Sequence, residues 1–480
     1  MKDKEQAMLT LADVFDALVQ QRPSWATQVI TDAVIDSRQS IAGALFVALP
    51  GENVDGHDFV EDAFSRGASF ALVQRDLAEG ITVLDLREGS VVNLDTPHPV
   101  PCALRVDDSL LALQQLARFW RRQRDVRVIG ITGSVGKSTT KELAASVLSQ
   151  RYSTLKNSGN LNNEIGLPLT LLRLSAGHQR AVLEMGFYVP GEIAFLCQLA
   201  QPEIGVITNI GTVHAERAGS QEAIARGKAE LIQSLPSSPE GIAILNYDDP
   251  WVRPMAEQTE AQIFFYGLSP EADLWADQIE GLGLEGIRFR LHYRNERLHL
   301  RVPLIGRHSV HTVLRAASIG LVDGLTWQEI ISGLREGHTQ LRLVAVRTES
   351  GALLLDDTYN ASPQSTMAAL NLLDEMEGRK IAVLGDMLEL GPYERQGHRM
   401  VGVRAAQVAD YLITVGERAH IIAESARQAG FRHDRITEFE NSDEVIDHLR
   451  DRLSLDDVVL VKGSRGMEMD SIVSTLETYR

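Results

Sequence analysis

Short apolar runs recur along the chain between stretches whose apolar positions fall three and four residues apart. The first kind predicts strands buried on both faces, the second amphipathic helices. Ala44–Leu49 and Ser69–Val73 read as strands, and Asp58–Arg66 as a short helix stopped by Gly67. Glu79–Pro101 is rich in turn formers and predicts a hairpin-like insertion ahead of a boundary. Leu110, Leu113, Leu116, Ala117 and Trp120 mark one face of a helix over 110–124, which leads into the apolar run Val126–Ile129. Ala181–Met185, Ile204–Ile210 and Ile242–Asn246 are strands of a parallel kind, with a helix over Ala223–Leu235 between the last two. From about residue 260 the pattern changes: Ile263–Tyr266, Ile287–Tyr293 and Leu298–Val302 suggest a small antiparallel patch, followed by a helix over His311–Leu321.

Beyond residue 336, strands at Leu353–Asp356, Ile381–Leu384, Tyr411–Val415 and Val458–Val461 alternate with helices around 363–376, 396–407, 417–428 and 442–452. That alternation predicts a second, smaller doubly wound sheet. The fold class is therefore α/β in three domains. An N-terminal α/β domain spans 1–107. A central doubly wound parallel sheet with a small antiparallel patch spans 108–335, and a C-terminal Rossmann-like domain spans 336–480. A length of 480 residues suits about three domains.

Composition narrows the partners. A net charge of −18 argues against an extended nucleic-acid surface but leaves room for small anionic substrates held by local basic groups. Cys102 and Cys197 are too few and too far apart for a disulfide framework or a zinc site. The charged start lacks an apolar signal core, and no run is long and apolar enough to span a membrane. We expect a cytoplasmic protein, a monomer, with no nucleic-acid partner and no membrane insertion.

The strongest chemical signal follows Val126–Ile129. Residues 130–140 read Gly-Ile-Thr-Gly-Ser-Val-Gly-Lys-Ser-Thr-Thr, a strand, a glycine-rich turn and a helix start. Glycines let backbone N–H groups approach phosphate oxygens, and the helix N-terminus favours an anion. Lys137 would reach the outer phosphates of ATP, and the Ser138 hydroxyl would ligate Mg²⁺. The spacing departs from the usual phosphate loop, which wants glycine where Ile131 stands.

Five further clusters stand out. Residues 155–168 carry Asn157, Asn160, Asn162 and Asn163, a loop of side-chain amides or an ordinary Asn-rich turn. Glu184 ends a strand where doubly wound sheets bind ligands, and could hold Mg²⁺ or simply face solvent. His214 follows the next strand, at the same sheet edge. Lys228 lies in a helix, where a solvated lysine is the plain alternative. Asp356-Asp357-Thr358-Tyr359-Asn360 could bind ribose hydroxyls or a cation, and Lys462-Gly463-Ser464-Arg465 an anionic group; both could also be ordinary turns.

Taken together, these segments resemble the Mur ligase superfamily, ATP-dependent amide ligases of peptidoglycan precursor synthesis, in order and over essentially the whole chain. Asp36-Ser37-Arg38 and Gly43–His57 look like its uridine-nucleotide-binding N-terminal domain. Thr132–Thr140 looks like its T-G-x-x-G-K-[ST]-T loop, Asn157–Pro168 like N-x-N-N-x-I-G-x-P, and Leu183–Gly186 like L-E-M-G. Asn246–Pro250 is similar to N-x-D-D-P and Gly306-Arg307-His308 to G-R-H-N. Asp356–Pro363, Gly385–Gly391 and Lys462–Met467 resemble D-D-T-Y-N-A-N-P, G-D-M-x-E-L-G and K-G-S-R-G-M, the pattern of the branch that joins D-alanyl-D-alanine to UDP-N-acetylmuramoyl-tripeptide.

The resemblance implies roles. Thr132, Gly133, Ser134, Gly136, Lys137, Ser138, Thr139, Asn246, Arg342 and Asp357 would bind ATP, with Asn246 near adenine and Asp357 at the ribose. Lys137, Glu184, His214 and Lys228 would be catalytic. Ser138, Glu184, His214 and Lys228 would hold metal, the last if carbamylated. Asp36, Ser37, Arg38, Asn160, Asn162, Asn163, Tyr359, Asn360, Lys462, Ser464 and Arg465 would bind the peptide substrates. Ser309 and Ser362 stand where the superfamily has Asn, and the surroundings of His214 differ from its pattern. Two alternatives stay open: another amide ligase of the superfamily, and a nucleotide-binding protein that has lost turnover.

Overall fold

The computed structural model describes residues 8–51, 54–77, 79–90, 96–336, 344–450 and 452–477. By packing, the chain falls into two compact units: Met1–Gly130 with Tyr152–Gly186 and Glu192–Glu203, and Ile131–Arg151 with Phe187–Gly191 and Ile204–Arg480.

In the first unit five strands make one parallel sheet in the order Ala33–Val34, Leu45–Val47, Phe70–Val73, Cys102–Arg105, Thr82–Asp85. The three central strands are buried almost throughout, which is why they read as continuous apolar runs. One expectation is corrected here. Thr82–Asp85 is not half of a hairpin; it runs parallel to Cys102–Arg105. The turn formers around it read as a tight reversal, but the chain returns to the same end of the sheet before pairing. Helix Ser109–Arg122 follows, its first turn capped by the Asp108 carboxylate, which accepts from Leu111 N at 2.9 Å. Its apolar stripe buries Leu113, Leu116, Ala117 and Trp120, and the indole donates to Leu174 O at 2.8 Å. A parallel pair, Thr154–Lys156 with Arg180–Glu184, completes the strands of this unit.

Strand Arg127–Thr132 begins in the first unit and ends in the second. In the second unit, Ile204–Ile207, Ile242–Asn246, Gln262–Gly267 and Leu274–Gly281 are neighbours and parallel. Ile287–Tyr293 and Glu296–Val302 then add on antiparallel, the small patch that the sequence predicts. Leu274–Gly281 escaped the sequence reading. A register shift between Asp277 and Glu280, with Gln278 at φ +50°, interrupts its two-residue alternation.

The last part of the second unit is a six-stranded sheet: Val344–Arg347, Leu353–Asp356, Asp457–Lys462, Arg379–Gly385, Tyr411–Val415, Ile436–Phe439. All neighbours are parallel except the antiparallel first strand. Alternate residues feed two separate cores. Leu355, Ala382, Leu384, Leu412 and Leu460 pack on one face; Leu354, Val383, Ile413, Val459 and Val461 pack on the other. Helices cover both faces, so this is the doubly wound arrangement expected from the pattern. Among the described residues, no helix is long and apolar enough to cross a membrane.

Candidate active site

Strand Arg127–Thr132 ends at the glycine-rich turn, and helix Lys137–Leu148 starts straight after it. Two glycines make the turn possible. Gly133 has φ +145°, and a Cβ there would lie 1.8 Å from Thr208 Oγ1. Gly136 has φ +83° and caps the helix, where a Cβ would meet the Arg315 guanidinium at 2.9 Å. The turn is held from outside. Ser134 N donates to Asn209 O (2.9 Å), Val135 N to Asn209 Oδ1 (3.0 Å), and Thr208 Oγ1 to Val135 O (2.8 Å). Gly211 N donates to Ser134 Oγ at 2.8 Å. The loop is thus preformed, its shape fixed by residues following strand Ile204–Ile207.

Two lysines converge on it. Lys137 Nζ donates to Gly133 O at 2.8 Å and to Ser134 O at 3.3 Å. Lys228 Nζ donates to the same Gly133 O at 3.0 Å and lies 4.6 Å from the centre of the Phe187 ring. Lys228 is 1% exposed, so the solvated-helix alternative does not hold. Gly227 beside it lets Phe187 approach, since a Cβ there would sit 2.1 Å from that ring.

His214 lies in the same unit, in the left-handed region at φ +67°. Its Nδ1 is 2.7 Å from Glu389 Oε2, and its ring packs edge-on to Tyr188 at 5.0 Å. Burial, then the cations of Lys137 and Lys228, push its pKa down to about 4 against the pull of Glu389, so the ring is neutral at pH 7.

Opposite the loop stand residues of the last sheet. A cleft of about 170 Å³ is bounded by Ser134, Gly136 and Thr139 on one side and by Asp357, Asn360 and Lys462 on the other. Lys462 pairs with Asp357 Oδ2 at 2.7 Å and donates to Asn360 O at 2.8 Å. Ser464 is buried and works inside the fold, its N donating to Asp386 O (3.0 Å) and its hydroxyl accepting from Leu388 N (2.8 Å). Tyr359 and Arg465 are exposed. Asn246 is buried and shapes its own turn, donating to Thr208 O (3.1 Å) and accepting from Asp248 N (3.1 Å). Ser362 accepts from Ser365 N at 3.2 Å and caps helix Pro363–Glu375, a task serine and asparagine do equally well. Arg342 lies outside the described residues.

The first unit holds the remaining candidates. Glu184 is 1% exposed. Asn157 brackets its backbone, accepting from Glu184 N at 2.9 Å and donating to Glu184 O at 3.0 Å, while Asn162 Nδ2 donates to Glu184 Oε1 at 3.0 Å. Part of the Asn-rich run therefore positions this carboxylate. Asn163 instead accepts from Gly166 N at 2.9 Å at the start of helix Gly166–Leu172, and Asn160 is exposed. Asp36 and Arg38 form a local fork, Nη2 to Oδ2 at 2.8 Å, around a buried Ser37. Nearby in sequence, His57 accepts from Gln74 N at 2.9 Å beside a cavity of about 360 Å³ that Asp58, Arg75 and Asp76 also line.

Residues 131–320 match the Mur ligase middle domain, residues 341–465 the Mur ligase glutamate ligase domain, and residues 30–121 the Mur ligase family catalytic domain. The chain belongs to the Mur ligase family. Among its relatives, the UDP-N-acetylmuramoyl-tripeptide–D-alanyl-D-alanine ligase of Bacillus subtilis is 36% identical over 458 residues, 95% of this chain and 94% of that protein. The enzyme of that name from Escherichia coli is 36% identical, with 94% of each chain covered. A crystal structure of MurF from Acinetobacter baumannii superposes with a TM-score of 0.82 at 31% identity, covering 98% of this chain and 99% of that one. MurF from Thermotoga maritima in complex with ADP gives 0.77 at 27% identity, covering 93% and 96%.

Three groups in this Mur ligase carry weight that the sequence alone did not assign. Thr208 and Asn209 hold the phosphate loop, and Arg315 on helix Val310–Val322 ties itself to Thr140 of helix Lys137–Leu148, Nε to Oγ1 at 2.7 Å. Each is an ordinary residue type at the end of a strand or inside a helix, so nothing local marks it.

A pH effect follows from His311 on helix Val310–Val322. Burial, then Arg315 and His308, push its pKa down to about 4, and the Asp248 carboxylate lies 3.9 Å from Nδ1. Between about pH 6.5 and 4 the unfolded chain then binds the extra proton, so stability falls as pH drops through that window and is insensitive to this group above it. The side chain is 26% exposed, which softens the effect to on the order of 2 kcal/mol. Urea unfolding at several pH values should show His311→Gln losing less stability on acidification than the parent.

Proposed function

We propose that the chain joins D-alanyl-D-alanine to UDP-N-acetylmuramoyl-tripeptide, converting ATP to ADP and phosphate and giving UDP-N-acetylmuramoyl-pentapeptide for peptidoglycan synthesis. The observation that carries this reading is the cleft between the phosphate loop and Asp357, Asn360 and Lys462, with Lys137 and Lys228 on the loop side. Its relatives' shared name supplies the substrate pair. Charged nucleotide substrates do not cross a bilayer unaided, and we place the reaction in the cytoplasm. We also keep the division at 1–107, 108–335 and 336–480 as the functional one, for the UDP substrate, ATP and the incoming dipeptide respectively.

In the first step an oxygen of the tripeptide's terminal carboxylate attacks the γ-phosphorus of ATP. The bond to the β-phosphate oxygen breaks, ADP leaves, and an acyl phosphate remains. The dipeptide amine then attacks the acyl carbon, the tetrahedral intermediate expels phosphate, and the amine proton passes to solvent. The difficulty lies in bringing a carboxylate up to a triphosphate. Lys137 and Lys228 meet that repulsion with cations already fixed on the loop. The loop N–H groups and the start of helix Lys137–Leu148 fix the phosphates. Asp357 would take the ribose, held in place by Lys462.

Mg²⁺ suits the hydroxyl that Ser138 offers at the start of helix Lys137–Leu148. In the other compact unit, the buried carboxylate of Glu184 is of the kind that ion takes. Among the described residues no three His, Cys, Asp or Glu side chains cluster for a metal. The ion would neutralise phosphate charge. His214 is the less natural donor to so hard a cation, and Lys228 becomes a ligand only as its carbamate.

The test is phosphate release by purified protein. It should require ATP, the UDP-linked tripeptide and the dipeptide together, with the pentapeptide detected by mass. ATP binding without release under every substrate combination would leave a nucleotide-binding protein without turnover.

A further inference from the structure

Glu389 has no role in the chemistry above, yet it is placed as few residues are. It lies between strand Arg379–Gly385 and helix Glu394–Val408 and holds φ +61°, a left-handed conformation costly for a residue with a Cβ. Such a conformation persists where its surroundings over-determine it. Here they do. The Glu389 carbonyl accepts from Glu216 N at 3.3 Å, and its carboxylate oxygen lies 2.7 Å from His214 Nδ1. Two residues on, Gly391 sits so close to Glu216 that a Cβ would be 2.7 Å from its Cα. The Tyr393 hydroxyl accepts from Gln221 N at 3.3 Å. Residues 389–393 are thus seated on 214–221 at three points. The residue facing Glu389, His214, is itself left-handed at φ +67°.

A neutral imidazole carries one proton, and an ionised carboxylate only accepts. A carboxylate 2.7 Å from Nδ1 therefore draws the proton to that nitrogen and leaves the lone pair on Nε2. We propose that Glu389 is a positioning residue: it fixes His214 in the Nδ1–H tautomer, with Nε2 as the free acceptor, when residues 389–393 are seated on 214–221. The last sheet's docking then sets the state of a side chain on the phosphate-loop side of the cleft. The consequence for turnover rests on the ligase reading; the tautomer does not.

The experiment is nitrogen NMR of histidine-labelled, nucleotide-free and metal-free protein at about pH 8, above the ordinary histidine pKa. His214 is identified by the signals missing from His214→Gln. The parent should show the Nδ1–H tautomer. Glu389→Gln should keep it, because an amide oxygen still accepts, and Glu389→Ala should move it toward Nε2–H. In phosphate release, Glu389→Ala should lose kcat about 10- to 100-fold with KM for ATP within about 3-fold, and Glu389→Gln should recover most of the loss. Tyr393→Phe, which removes a docking contact and leaves Glu389, should stay within about 3-fold of the parent. An unchanged tautomer in Glu389→Ala overturns the proposal. So does a Tyr393→Phe defect as large as that of Glu389→Ala, which would make the contact simple docking. Were the parent to release no phosphate at all, the ligase reading would fail while the NMR comparison still decided the tautomer.

Discussion

Lys137→Ala should lower phosphate release by on the order of 10³-fold, and its melting temperature should stay within a few degrees of the parent's. The asymmetry comes from what the ammonium touches. Its described hydrogen bonds go to two carbonyls of its own turn, Gly133 O and Ser134 O, and the turn's shape is set independently by Thr208, Asn209 and Gly211. Removing the lysine therefore leaves the scaffold standing and takes away a fixed cation where negative charge accumulates. A methionine variant, similar in length, should be as inactive, which separates charge from packing. Full activity in either variant would take the phosphate loop out of the chemistry.

Lys462→Met should cost about 2–3 kcal/mol of stability, less than the 3–5 kcal/mol typical for breaking a fully buried ion pair, because Asp357 keeps some contact with water. Lys462 is 2% exposed, and its ammonium serves both the Asp357 carboxylate (2.7 Å) and Asn360 O (2.8 Å). Methionine fills the space but leaves both oxygens without their partner, so thermal unfolding should shift by about 5–10 °C. KM for ATP should rise as well, since Asp357 is released from the position we assign to the ribose. Lys462→Arg is a harsher replacement than it looks, because a planar fork does not fit where a point charge is enclosed. An unchanged melting temperature in Lys462→Met would show that the pair contributes no stability, and an unchanged KM would detach Asp357 from the nucleotide.

Much of this site could be read from the chain because its chemistry is local. The phosphate loop is a contiguous signal: the glycines, Lys137 and the apolar strand before them are neighbours in sequence and each has its own physical cause. Lys228 is the opposite case. In sequence it is a helix lysine between Gly227 and Ala229, and the resemblance alone singled it out. The fold shows why, through its burial and its bond to Gly133 O, nearly a hundred residues away in the chain. The Asn-rich run divides in a way no composition argument could foresee, with Asn157 and Asn162 on Glu184 and Asn163 on a helix start. Strands buried on both faces were legible because their apolar runs are unbroken. Those missed were Ala33–Val34, Cys102–Arg105 and Thr154–Lys156, each only two to four residues long, Leu274–Gly281, with its interrupted register, and the edge strands Val344–Arg347 and Ile436–Phe439, which have a neighbour on one side alone. Glu389 was visible as a letter in a motif, but its meaning depends on a residue 175 positions away.

The first compact unit is assembled from three separate stretches, the last ending at Glu203. Trp120, in the last turn of helix Ser109–Arg122, hangs its indole proton on Leu174, which is made more than fifty residues later. During synthesis at about 5–20 residues per second, roughly 10–40 s pass between Met1 and Glu203, before this unit can be completed. Through that interval the nascent polypeptide exposes an unfinished apolar surface, and a ribosome stalled near codon 150 would display a segment suited to capture by chaperones rather than a self-sufficient lobe.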